Sequence, residues 1–170
     1  MNITYREWEQ KDFEQVQYVL LQTWIATYSP FIPLTDIQWY FNNHNTEIHL
    51  ERVFADSTMW NYVAAVDQKI VGYERMFHDL ELNRFHIASL YVLPEFQGQG
   101  IGKRLLEMAE EKARSLFFDK AWLGVMTQNT ASVEWYKKLG FIFETEEPFV
   151  MGRTTVQHLI GYKNISTNTQ

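Results

Sequence analysis

The chain has 170 residues, the size of one ordinary domain, and its 46% hydrophobic content can fill a sizeable core. It contains no cysteine, which excludes disulfides, thiolate zinc sites and a cysteine nucleophile. A formal net charge of −6 argues against a general basic surface for nucleic acid, and no stretch approaches the ~18 continuous apolar residues of a membrane span.

The opening MNITYREWEQKDFEQ lacks the apolar core of a signal peptide, so a cytoplasmic protein is expected. No linker or repeat divides the chain, which makes residues 1–165 one domain and 166–170 a frayed tail. ITYREW alternates and reads as a first strand. Asp12 is placed to cap a helix carrying Phe13, Val16, Val19, Leu20 and Trp24 at helical spacing, and Pro30 and Pro33 stop it. Two shorter helical pieces follow, around DIQWYFNN and TEIHLERVF.

The period then changes. NYVAAVDQKIVGYERMF holds two β-rich runs joined at Asp67-Gln68, a predicted hairpin. RFHIASLYV is a further strand ending at Pro94. GKRLLEMAEEKARSLF is an amphipathic helix whose Ile101, Leu105, Met108, Ala109, Ala113 and Leu116 share one face. KAWLGVMT is the next strand. ASVEWYKKLG is a helix closed by Gly140, with Lys137 and Lys138 suited to its negative end. FIFETEEPFVM and TTVQHLIGYKN complete the chain as two strands. This order predicts an α/β domain with a mixed sheet.

The segment QGQGIGKRLL places Gly98, Gly100 and Gly102 where a strand hands over to a helix. A Walker loop would need glycine at 97, which is Gln97, and Ser or Thr at 104, which is Arg104. A dinucleotide fingerprint fails in both frames, at Lys103 and at Leu105. What remains is a helix N-terminus with exposed N–H groups, glycines that admit a close anion, and Lys103 and Arg104 to pair with outlying phosphate oxygens.

LYVLPEFQGQGIGKRLL resembles the signature of the GNAT family of N-acetyltransferases, Q/R-x-x-G-x-G/A after a strand and a proline, met here by Gln97, Gly100 and Gly102. LGVMTQNTASVEWYKKLGF resembles the strand and helix that follow it, with Asn129, Tyr136 and Gly140-Phe141. The resemblance covers residues 85–145. It implies the GNAT fold: a mixed central sheet of about seven strands with four or so flanking helices, splayed between the strands at 85–92 and 120–126. Acetyl-CoA would be the co-substrate, with no metal. The backbone of Leu90, Tyr91 and Val92 would pair with the pantetheine amides. The Gln97, Gly98, Gln99, Gly100, Ile101, Gly102 and Lys103 segment would hold the pyrophosphate. Asn129 would bond the pantetheine arm, cap the following helix, or both.

By the same resemblance an amine attacks the thioester directly, Val92 N–H faces the thioester carbonyl, and Tyr136 protonates the departing thiolate. A phenol pKa of about 10 is near enough to a thiol's ~8.5 for that task. Relatives carry a glutamate base in a pattern like E-L-E-R-L-Y-V, whereas FHIASLYV puts His86 and Ala88 at those positions. Others place it on the next strand, where Gly124 stands. His86, Glu74 on the preceding strand, and a water chain remain as alternatives for the base.

Trp24, Tyr28, Phe31, Trp39 and Tyr40 are concentrated where the family shapes its acceptor side, and an aromatic face attracts an ammonium group. Asp79/Glu81 and Glu144/Glu146/Glu147 would add an acidic rim. PFVMGRTTVQHLIGYKN resembles the C-terminal part of bacterial PaiA-type polyamine acetyltransferases, which implies a polyamine or other small primary amine as acceptor. A protein N-terminal or lysine amine is the competing acceptor, and a non-catalytic acyl-CoA-binding module the competing function. Homodimers are common among such relatives.

Overall fold

A computed structural model describes residues 2–165; the expected frayed tail lies outside the described residues. Strand β1 (Ile3–Glu7) is followed by helices α1 (Phe13–Tyr28), α2 (Leu34–His44) and α3 (Glu47–Ala55). Then come β2 (Met59–Val66), β3 (Lys69–Asp79), β4 (Arg84–Val92), α4 (Ile101–Ser115), β5 (Lys120–Met126), α5 (Thr130–Lys138), β6 (Ile142–Met151) and β7 (Thr154–Asn164). The two short helical pieces fold as separate helices, giving five α-helices among the described residues. No described helix is long and apolar enough to cross a membrane.

The seven strands form one mixed sheet in the order β1-β2-β3-β4-β5-β7-β6. Only β4 and β5 run parallel; the other neighbours are antiparallel. The hairpin turns where expected, with Asp67 and Gln68 both at positive φ, the conformation that matches a two-residue turn to the twist of its strands.

Each long helix buries the face its spacing predicted. Val16, Val19, Leu20 and Trp24 of α1 pack with Ile37 of α2 and with Val63 and Tyr73 of the sheet. On a second cluster, Leu106, Ala109 and Ala113 of α4 and Val133 and Tyr136 of α5 meet Met76, Ile87 and Leu123. Truncating one such buried leucine to alanine costs about 2–5 kcal/mol.

Asp12 stands at the N-cap of α1 as expected, but its side chain is used elsewhere. Its carboxylate accepts from the Arg6 guanidinium at 2.6 and 2.9 Å and from Glu9 N–H at 2.8 Å, and makes no cap bond to α1. Burial raises its pKa but these bonds outweigh it, holding the carboxyl below its ordinary range. An ion pair across the β1–α1 corner thus takes the side chain that local sequence assigned to a cap.

Candidate active site

The parallel contact between β4 and β5 is short. Phe85 pairs with Ala121 and His86 with Trp122; beyond these the register ends. On its other side β4 carries a bulge, because Arg75 faces Ser89 while Met76 faces Ile87, which leaves Ala88 unpaired. The strands therefore part, and a cleft of about 420 Å³ opens between them. Ser89, Leu90, Tyr91, Val92 and Gln97 line one wall, and Leu123, Gly124, Val125, Met126, Asn129 and Tyr136 line the other.

Beyond His86 the edge of β4 facing this gap pairs with no neighbouring strand. Leu93 N–H bonds Val71 carbonyl in β3, so strand alternation turns the main-chain groups of Val92 and Leu90 towards the cleft and those of Tyr91 towards β3. Tyr91 contributes its ring, whose hydroxyl lies 3.4 Å from that of Tyr28. Gln97 Nε2 donates to the Val92 carbonyl at 2.9 Å, so this side chain fastens the loop back onto the strand.

Gly98 and Gly100 take φ of +74° and +82°, the left-handed region that disfavours other residues, and Gly100 is the N-cap of α4. A Cβ at either would meet nothing within 4 Å, so the turn leaves its outer face open. Gly102 has ordinary room beside Trp135 and Val92, and Ile101 is buried in the core, so these two can offer a ligand only main-chain groups. Gln99 is exposed and its amide leans on the Glu95 carbonyl at 3.4 Å. The cations are less available than the sequence suggested. Arg104 is tied to Glu111 at 2.9 Å and Glu107 at 3.5 Å, while the exposed Lys103 is 4.0 Å from Glu107.

Asn129 caps α5, accepting Ser132 N–H at 3.4 Å, and also lines the cleft. Tyr136 lies deeper, 9% exposed, on the same wall. Burial, then the nearby Tyr91 and Glu74, push its phenol well above the ordinary tyrosine value. The even match with a thiol expected from an unperturbed phenol is therefore absent; the environment instead holds the proton firmly on the oxygen.

Neither sequence candidate for the base lines the cleft. His86 sits at the closed end of the strand pair, stacked on Phe77 at 5.0 Å, with Nε2 buried and unpartnered. Glu74 is fully buried, with neither carboxylate oxygen bonded, and burial raises its pKa well above the usual range. Its burial inside the sheet's packing disfavours the charged form.

His158 of β7 was not anticipated. It lines the cleft, stacks on Phe149 at 4.4 Å and 8°, and has a buried, unpartnered Nε2. A Cβ added to Gly124 would lie 3.3 Å from His158 Nδ1, so the imidazole stands over the position that lacks a side chain. Burial lowers its pKa, with Glu147 opposing, which leaves it neutral at physiological pH. The sequence signal was Gly124 itself, but pairing it with a residue 34 positions later required the β5–β7 register, in which Met126 faces His158 and Gly124 faces Ile160. Among the expected aromatics, Trp24, Tyr28 and Tyr40 line the cleft; Phe31 and Trp39 do not.

The model of the Acetyltransferase (GNAT) family matches residues 6–141. An uncharacterized N-acetyltransferase of Lactobacillus delbrueckii subsp. lactis is 27% identical over 149 residues, 84% of this chain and 86% of that protein. An N-alpha-acetyltransferase of Sulfurisphaera tokodaii is 31% identical over 91 residues, 47% of this chain and 54% of that protein. Among solved structures, a PaiA N-acetyltransferase from Thermoplasma acidophilum in complex with coenzyme A superimposes with a TM-score of 0.86. It shares 23% identity, over 96% of this chain and 99% of that one.

Proposed function

The chain belongs to the GNAT family and is an acetyl-CoA-dependent N-acetyltransferase, and from that premise we propose that it acetylates the primary amine of a small molecule, with Tyr136 as acid and His158 as base. The observation that carries this reading is the cleft at the parted strands, which brings a free strand edge, a protonated phenol and a neutral imidazole to one space. The resemblance of the C-terminal segment to PaiA-type enzymes makes polyamines one small-amine class to be tested beside others.

Acetyl-CoA supplies an activated acyl group, a carbonyl bonded to a good leaving sulfur. The edge of β4 at Leu90 and Val92 suits the pantetheine amides as an added strand, and the Asn129 amide faces the same arm. Main-chain N–H groups from Gly98 to Lys103, at the positive end of α4, suit the pyrophosphate. Lys103 would add charge from the rim.

The amine must be neutral to attack. His158, uncharged at neutral pH, accepts a proton from the acceptor nitrogen, directly or through one water. The nitrogen forms a bond to the carbonyl carbon, and Val92 N–H stabilises the charge that grows on the carbonyl oxygen. The carbon–sulfur bond breaks, its electron pair leaves on sulfur, and Tyr136 Oη–H gives that sulfur a proton. Burial keeps the phenol protonated until then. His86 and Glu74 have no part in these steps.

Thiol release from acetyl-CoA across a panel of amines tests the reading. Release with small amines is expected. Tight coenzyme A binding with silence on every amine and peptide would favour a binding module instead. Release only with peptide α-amines or lysines would move the acceptor to a protein.

A further inference from the structure

The acceptor end of the cleft is rich in hydrogen-bond donors and has no acid. None of the residues lining it is Asp or Glu, and the expected rim residues Asp79, Glu81, Glu144, Glu146 and Glu147 stand outside the lining. Arg75 of β3 lines it, opposite Ser89 and Asn61 in the sheet. Among the described residues no carboxylate lies within ion-pair distance of this guanidinium, whereas Arg6 and Arg104 on the surface are both paired. A guanidinium does not deprotonate, so Arg75 is a fixed positive charge in a partly enclosed space. Its field is felt at His49 in the same lining, where it adds to burial in lowering the imidazole's pKa. A second donor is also idle: the indole Nε1–H of Trp24, buried and without an acceptor.

A site with a fixed cation, a buried spare donor and no acid is built for an anion. A polyamine would bring a second ammonium group into it with nothing to neutralise the charge. Donor phosphates do not explain Arg75, since the turn proposed for them is at Gly98–Lys103, outside this lining beyond Gln97.

Resting on the N-acetyltransfer reading above, we infer that the acceptor carries a carboxylate beside its amine, as an amino acid does, and that Arg75 holds this carboxylate with help from Trp24 Nε1–H. The carboxylate anchors one end of the acceptor at β3 and α1. The amine then faces the other wall, where His158 stands. Arg75 selects the acceptor and takes no part in bond making.

The test uses matched acceptors that differ only in this group: free amino acids, their carboxamides, and spermidine. With wild-type protein kcat/KM is expected to favour the acid over its amide by at least about tenfold, and over spermidine by more. Arg75→Gln is expected to bring the acid-to-amide ratio close to one, mainly through acceptor KM, with coenzyme A affinity unchanged by calorimetry. Arg75→Lys, which keeps the charge without the fork, should retain part of the preference. A wild-type preference for the amide or spermidine would overturn the inference without any variant and leave acetyl transfer standing. So would an Arg75→Gln protein that loses acid and amide turnover equally. Silence with every amine, acid or not, would remove the transfer reading and this one together.

Discussion

The proposed donor and acceptor ends of one cleft are built by different means. The donor end comes from a single run, residues 89–139, and works through main chain: the unpaired edge of β4, the turn at Gly98 and Gly100, the start of α4. The acceptor end is assembled from side chains on α1, α2, α3, β3, β6 and β7. Its halves are tied by Thr154 Oγ1 donating to Asp36 Oδ2 at 2.6 Å across 118 residues. At Gly152, with φ of +65°, a Cβ would lie 2.7 Å from the Asp36 side chain. A main-chain site is tolerant of side-chain change except where φ is positive. A side-chain site can be retuned one residue at a time.

Substitutions at the meeting of the two ends should have the largest effects. Tyr136→Phe and His158→Gln are each expected to lower kcat by about a hundredfold with little change in acetyl-CoA affinity, read by steady-state kinetics and calorimetry. Unchanged turnover in either variant removes that residue's role. As the proposed base, His158 should also set a pH limb. Its pKa lies below the ordinary 6.5, so the imidazole is neutral at pH 7 and activity falls only as pH drops through that lowered value. The limb should vanish in His158→Gln.

Next in size is the donor turn. Gly100→Val forces a branched residue into φ of +82° and is expected to raise KM for acetyl-CoA about tenfold, with acceptor KM unmoved. A matching rise in acceptor KM would break the division between the ends. Asp36→Ala should do the converse. It removes the bond to Thr154, costs about 1 kcal/mol of stability in a denaturant titration, and raises acceptor KM several-fold while sparing acetyl-CoA.

The smallest effect is thermodynamic. Glu74 has its pKa raised by burial, so the folded chain holds a proton that the unfolded chain releases above about 4.5. Its burial therefore costs stability increasingly as pH rises from that value to the folded pKa, and by a constant amount beyond. Glu74→Gln should raise Tm by a few degrees at pH 8, roughly 2–4 °C per kcal/mol, and by less near pH 4.5, with turnover kept. Loss of turnover would return Glu74 to the chemistry.

Legibility in the sequence follows the same division. The hairpin at Asp67-Gln68, the apolar faces of α1 and α4, and the strand–turn–helix around Gly98–Gly102 are local patterns, and the fold followed them. The place of Tyr136 and Asn129 in the cleft was reachable because the run that holds them is contiguous. His158 and Arg75 were not singled out, since their place in it depends on strands meeting across the sheet. Asp12 stands at the N-cap of α1 as its position suggested, but its side chain's partner could not be read locally, because Arg6 lies on another element. The phenol's raised pKa is a product of burial, which spacing alone does not reveal.

A crystal structure with coenzyme A bound is the most direct test of this site. The pyrophosphate is expected on the N–H groups of Gly98–Lys103, the pantetheine along Leu90 and Val92, and the sulfur within ~3.5 Å of Tyr136 Oη on the wall shared with His158. A sulfur at the closed end beside His86, or a pyrophosphate away from the start of α4, would contradict that placement.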